Sequence, residues 1–168
     1  IAAITPWNFP FLIACWKVAP ALAAGNSVVL KPASLTPLTS LLLGQLAQEA
    51  GLPDGVLQVL PGAGSEAGNA LTTHPLVRKI SFTGSTEIGS KIMKLAADDI
   101  KRVSLELGGK SPNIVFADAD WQRAAAESPM SVFANTGQDC CARSRMFIEQ
   151  PIFDDFVDHF VAATVAED

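Results

Sequence analysis

An α/β fold, built as an open and mostly parallel sheet with helices on both faces, is what this chain predicts. Three observations carry it. Short apolar or β-branched runs such as Ser27-Val28-Val29-Leu30 alternate with longer stretches that keep helical spacing. Gly or Pro punctuates nearly every junction between them. Hydrophobic residues make up 49% of the chain against 17% charged, enough apolar material for buried strands.

The elements follow in order. Ile1 to Thr5 reads as a strand, and Pro10 to Ala24 as a helix stopped by Gly25. Ser27 to Leu30 is the second strand. Thr36 offers an N-cap and Pro37 a first helical residue for a helix that runs to Gly51. Val56 to Leu60 is the third strand, followed by a Gly-rich turn and a short helix from Ser65 to Leu71. Lys79 to Phe82 is the fourth strand and Ser85 to Ala97 its helix. Arg102 to Leu107 and Asn113 to Phe116 read as strands, then a helix begins near Asp120. Ser144 to Glu149 forms a last strand and Ile152 opens a last helix. Such alternation makes the first part a Rossmann-like sheet. A composition shift at Gly108-Gly109 marks a hinge, so residues 1–107 are expected as one partial domain and 108–168 as the start of a second α/β domain.

Composition also excludes functions. A formal charge of −5 argues against a binder of nucleic-acid phosphates, which needs clustered Lys and Arg. The longest apolar stretch, Phe9 to Gly25, is broken by Pro10, Lys17 and Pro20, so no membrane span is expected. Three cysteines, two of them adjacent, make no disulfide framework and suit a reducing cytoplasm. No metal site is expected. The chain opens at Ile1 inside a strand and stops at Asp168 inside a helix, which reads as an excerpt of a longer protein.

Two Gly-rich segments can meet phosphate. Gly62-Ala63-Gly64-Ser65-Glu66-Ala67-Gly68 is spaced one residue longer than the dinucleotide fingerprint and is also an ordinary tight turn. Phe82-Thr83-Gly84-Ser85-Thr86-Glu87-Ile88-Gly89 is the better candidate. There a strand ends, two small residues turn the chain, and a helix starts with free N–H groups and a hydroxyl, as an anion site requires. Ser85 as a plain N-cap is the competing reading. Lys31 closes the second strand at the carboxyl edge, where open α/β sheets bind ligands; a solvated strand-end lysine is the alternative.

A thiol, a carboxylate and an amide complete the set of candidates. Cys140 follows Gly137-Gln138-Asp139 in a turn that leaves it accessible, and Cys141 competes with it on sequence chemistry alone. Cys15 lies in an apolar run, where a buried structural thiol is expected. Asp139 is expected to point away from the thiol, because its charge would otherwise raise the thiol pKa. Glu106 closes an apolar strand before Gly108-Gly109, with few groups to solvate it. That suits a general base of raised pKa. Asn8, boxed in Pro6-Trp7-Asn8-Phe9-Pro10, either caps a helix or offers its amide to an oxyanion.

Leu105-Glu106-Leu107-Gly108-Gly109-Lys110, Phe133 to Cys140 and Pro6 to Pro10 together resemble the aldehyde dehydrogenase superfamily, and the resemblance runs along essentially the whole chain. It implies the middle of a longer, homo-oligomeric enzyme that oxidises an aldehyde with NAD or NADP. It breaks the tie at Gly84, Ser85 and Gly89, which match the family's cofactor-phosphate motif. It carries Trp7, Gly64 and Leu107 with them as cofactor-binding residues and gives Lys31 to the adenosine ribose. Many members hold a ribose-gripping glutamate where this chain has Ser34, so NADP, or both cofactors, become open to it. The family motif selects Cys140 as nucleophile, two residues after Gly137-Gln138. Asn8 and the Cys140 amide then form the oxyanion hole, and Glu106 activates water. Phe9, Ile13 and Trp16, at helical spacing, would face the substrate, although such a stripe is more often an ordinary core face.

Three rivals differ in what they require. A cysteine hydrolase needs a histidine base, and His74 and His159 stand in no catalytic context. A CoA-acylating relative commonly lacks the glutamate that Glu106 supplies. A non-catalytic relative has no need for Asn8, Glu106 and Cys140 together.

Overall fold

The computed structural model describes residues 1–166. The chain divides into two compact units, Ile1–Leu107 and the segment from Gly108 onward. In the first, β1 (Ala2–Ile4), β2 (Val28–Lys31), β3 (Leu57–Val59), β4 (Lys79–Thr83) and β5 (Arg102–Glu106) form one parallel sheet in the order β3-β2-β1-β4-β5. Helices α1 (Pro10–Ala23), α2 (Leu38–Glu49), α3 (Asn69–Thr73) and α4 (Thr86–Ala97) connect the strands. The order reverses beside β1, which creates a crevice at the carboxyl ends of β1 and β4.

Strand alternation sorts the core onto two faces. Ala3, Val28 and Leu30 pack with Ala14, Val18 and Ala21 of α1 and with Leu43 of α2. Ala2, Ile4, Ile80 and Phe82 pack on the other face with Leu71 of α3 and with Ile92 and Ala96 of α4. Both long helices on the first face end in the same device. Gly25 (φ +74°) and Gly51 (φ +85°) adopt the left-handed conformation, and the N–H groups of Asn26 and Leu52 reach back to the carbonyls of Ala21 and Ala47 at 3.1 and 3.0 Å.

One capping expectation is corrected. Helix α2 begins at Leu38, with Pro37 in the cap position and no side-chain cap. Pro37 already holds helical angles, and Thr36 instead closes a turn onto the Ala33 carbonyl at 3.2 Å. Its hydroxyl is buried with no hydrogen-bond partner.

The second unit pairs β6 (Pro112–Val115) with β7 (Arg145–Ile148) in parallel, and carries α5 (Trp121–Glu127), α6 (Met130–Phe133) and α7 (Phe153–Ala166). Val115, Ala125, Ile152 and Phe156 form its core. Asp120 caps α5, its carboxylate accepting from the Arg123 N–H at 3.3 Å. Among the described residues, no helix is long and apolar enough to cross a membrane.

Candidate active site and cofactor crevice

The crevice at the strand ends is a cavity of about 520 Å³, lined by Thr5, Trp7, Lys31, Gly64, Ser65, Phe82, Gly84, Ser85 and Ile88 among others. Each reaches it through its own element. Lys31 ends β2, and Gly84 and Ser85 form the turn from β4 to α4. Ser85 holds extended angles at the N-cap and accepts from the Ile88 N–H at 3.3 Å. The Gly84 N–H donates to the Glu106 carbonyl at 3.1 Å, which ties this turn to the end of β5. A Cβ at Gly84 would stand 2.4 Å from the Phe82 ring, so a larger residue there would force that ring to shift.

Lys31 is not the solvated lysine considered above. It is 4% exposed, burial lowers its pKa, and its Nζ donates to the Pro32 carbonyl at 2.9 Å. A buried ammonium at the rim of a crevice, beside an orphaned Thr5 hydroxyl and a helix N-terminus, suits an anionic dinucleotide. Ser34 lies exposed beyond β2, its hydroxyl donating to the Gly62 carbonyl at 3.1 Å. Gly89 and Leu107 do not line the crevice. They pack on each other, and a Cβ on Gly89 would approach Leu107 Cδ2 to 2.6 Å. A wider groove of about 840 Å³ opens at the amino ends of the strands, between Lys17, Arg78, Lys79 and Arg102. The smaller cavity, at the carboxyl ends, lies where open α/β sheets present their ligand sites.

Glu106 corrects an expectation. It is exposed, not shielded. The strand alternates in exposure, with Arg102, Ser104 and Glu106 on one face and half-buried Val103 and Leu105 on the other. Leu105 packs toward the α4 core, so period-2 geometry turns Glu106 to the polar side. Lys17 shares that side. Its Nζ donates to Ser81 Oγ at 3.0 Å, and its pKa falls to about 8 because burial outweighs the attraction of Glu106, with Lys79 adding repulsion. Sequence reading passed over Lys17 except as a break in an apolar run. Its position one turn beyond the buried Ile13 was the available signal.

Asn8 is half-buried in the bend between β1 and α1. Phe9 occupies the N-cap of α1 and is half-buried, Ile13 is buried, and Trp16 is 65% exposed at the wider groove. The structure does not gather these three into one lining.

The thiol turn of the second unit is strained. Asn135 (φ 52°), Thr136 (φ 56°) and Gly137 (φ 73°) take left-handed angles in succession. For β-branched Thr136 that conformation is costly. The Phe133 to Cys140 motif singles out this segment, but nothing in it signals a left-handed Thr136. Gly109 passes this turn closely, and a Cβ there would lie 3.2 Å from the Cys140 carbonyl oxygen. Cys140 and Cys141 are both exposed and in no disulfide, and Cys15 is half-buried. The Cys140 pKa is raised, first by desolvation, then by Cys141 and the Asp139 charge. Asp139 therefore does not point away. Its Oδ1 accepts from the Cys141 N–H at 2.9 Å, and a carboxylate oxygen lies within 4.8 Å of both sulfurs. That backbone hydrogen bond holds it on the thiol side.

Known proteins are similar to this chain in sequence and fold. The family model described as the aldehyde dehydrogenase family matches residues 1–167. Phenylacetaldehyde dehydrogenase of Pseudomonas fluorescens is 56% identical over 94% of this chain and 31% of its own length. Human retinal dehydrogenase 2 is 54% identical over 92% and 30%. An indole-3-acetaldehyde dehydrogenase solved with NAD+ superposes with a TM-score of 0.96 at 51% identity, over 98% of this chain and 34% of that one. An NADP-dependent enzyme of E. coli superposes at 0.94, also at 51% identity, over 96% and 34%. The chain thus spans about a third of the length of the relatives it matches.

Proposed function

We infer the reaction from one premise: the chain belongs to the aldehyde dehydrogenase family. The protein that carries it oxidises an aldehyde to a carboxylic acid with NAD or NADP. The observation that carries this reading is an exposed thiol in a strained turn, on the same chain as a switch-point crevice with a buried ammonium at its rim.

Lys31, Gly84, Ser85 and Trp7 would hold the dinucleotide, whose nicotinamide supplies the two-electron acceptor when bound. Solved neighbours of equal identity include an NAD+ complex and an NADP-dependent enzyme, so Ser34 is the residue to which we give the choice. With no carboxylate there to repel a ribose phosphate, NADP is admitted.

In the chemistry we propose, Cys140 loses its proton and its thiolate adds to the aldehyde carbon, moving the C=O electron pair onto oxygen. The Asn8 amide and the Cys140 N–H stabilise that oxyanion. Collapse with loss of the C–H hydrogen and its electron pair leaves a thioester on Cys140. Glu106 removes a proton from water, which attacks the thioester carbon and releases the acid and the thiol. An exposed Glu106 has access to solvent for shedding that proton. A homo-oligomer in the cytoplasm is the setting that three free thiols and the family support.

The test is cofactor reduction by the full-length protein with a panel of aldehydes, beside Cys140→Ala and Cys141→Ala. Turnover should vanish only in the first. Equal loss in both, or turnover that survives Cys140→Ala, overturns the assignment.

A further inference from the structure

Asp139, Cys140 and Cys141 present one donor atom each, a carboxylate oxygen and two Sγ, all within 4.8 Å of one another. The two sulfurs are 3.8 Å apart. A tetrahedral zinc ion with Zn–S bonds of about 2.3 Å holds two sulfurs about 3.8 Å from each other, so the pair already stands at the edge length of that tetrahedron. The carboxylate is fixed as well: Oδ1 accepts from the Cys141 N–H at 2.9 Å, the kind of outer hydrogen bond that orients a ligand in a built site. All three groups face solvent enough to be reached, with both cysteines exposed.

We propose that Asp139, Cys140 and Cys141 form a three-donor site for a thiophilic divalent cation, zinc foremost, with the fourth position open to water. Binding releases the two thiol protons to solvent and forms two metal–sulfur bonds and one metal–oxygen bond, with no change of oxidation state. Soft sulfur donors favour zinc and cadmium over magnesium and calcium. Because the Cys140 sulfur is then a ligand, cation and aldehyde exclude each other, and the site acts as a reversible brake. That consequence rests on Cys140 being the nucleophile; the metal site does not.

The experiment titrates the full-length protein, reduced and metal-free, with cadmium, and reads the ultraviolet thiolate-to-cadmium charge-transfer band. Zinc then competes the band away. One cadmium per chain is expected. Cys141→Ser should weaken it by more than the roughly 10–100-fold that outer-shell changes cost, and Asp139→Asn by about tenfold. Zinc should inhibit aldehyde oxidation in the wild type and far less in Cys141→Ser, which keeps its turnover. Unchanged cadmium affinity in both variants, or no band in a protein whose thiols react as free, overturns the proposal. A band without aldehyde oxidation supports the metal site while sinking the dehydrogenase reading; oxidation without a band does the reverse.

Discussion

Replacing Lys17 with methionine changes how stability depends on pH, by an amount the structure sets. Lys17 is half-buried on α1 with its pKa lowered from 10.5 to about 8. Burial is the main cause. Glu106 on β5 opposes it, and Lys79 on β4 adds to it. Unfolded, the same amine titrates near its ordinary value of about 10.4. Between about pH 8 and 10.4 the unfolded chain therefore binds a proton that the folded chain does not, and stability rises with pH. Below pH 8 both states are protonated, and the full cost is present and constant. At about 1.4 kcal/mol per tenfold, the difference amounts to roughly 3 kcal/mol unscreened. The amine is close to half exposed, so solvent reduces this to about 1–2 kcal/mol.

Lys17→Met removes the titration. It also loses the Ser81 hydrogen bond, a cost of about 1 kcal/mol that does not vary with pH. The readout is therefore the change with pH of the difference between the two proteins. Urea unfolding from pH 7 to 10.5 should show the wild type gaining about 1–2 kcal/mol on the variant. Parallel curves, or a competitive-acetylation midpoint for Lys17 near pH 10.5, would refute the reasoning.

Other perturbations test separate links. Gly89→Ala drives a methyl against Leu107 and should cost about 1–3 kcal/mol by thermal unfolding. It should also lower kcat, because Leu107 follows Glu106; an unchanged melting point would show that Leu107 yields freely. Phe156→Ala empties the core of the second unit at a residue 1% exposed and should cost about 3–5 kcal/mol, read as faster proteolysis within residues 108–166. Ser34→Glu should weaken NADP binding about tenfold, or 1.4 kcal/mol, while sparing NAD, by fluorescence titration of the reduced cofactors. Equal affinities would remove Ser34 from cofactor selection.

Much of the fold was legible because local signals agreed with one another. Short β-branched runs and Gly25 and Gly51 stops bounded β2 and the helices around it to within a residue or two. Ser85 as an N-cap and a β4–α4 turn at the crevice were both readable, since capping and anion binding use the same free N–H groups. What sequence could not supply was tertiary. For Lys31 a solvated strand-end lysine stayed open as the alternative, and only packing, which buries it, decides against that. Glu106 looked shielded beside Leu105 and Leu107, yet strand alternation turned it to the polar face. The left-handed run Asn135-Thr136-Gly137 carries no propensity signal at Thr136, and the position of Asp139 was decided by one backbone hydrogen bond.

The central claim is that Cys140 carries the oxidised substrate as a thioester that Glu106 helps to release. Glu106→Gln, mixed with aldehyde and NAD or NADP and digested after acid quench, tests it most directly by tandem mass spectrometry. The account predicts an acyl group on Cys140 that accumulates in this variant and is absent from Cys140→Ala. An acyl group on Cys141, or aldehyde oxidised with neither cysteine ever acylated, would contradict it.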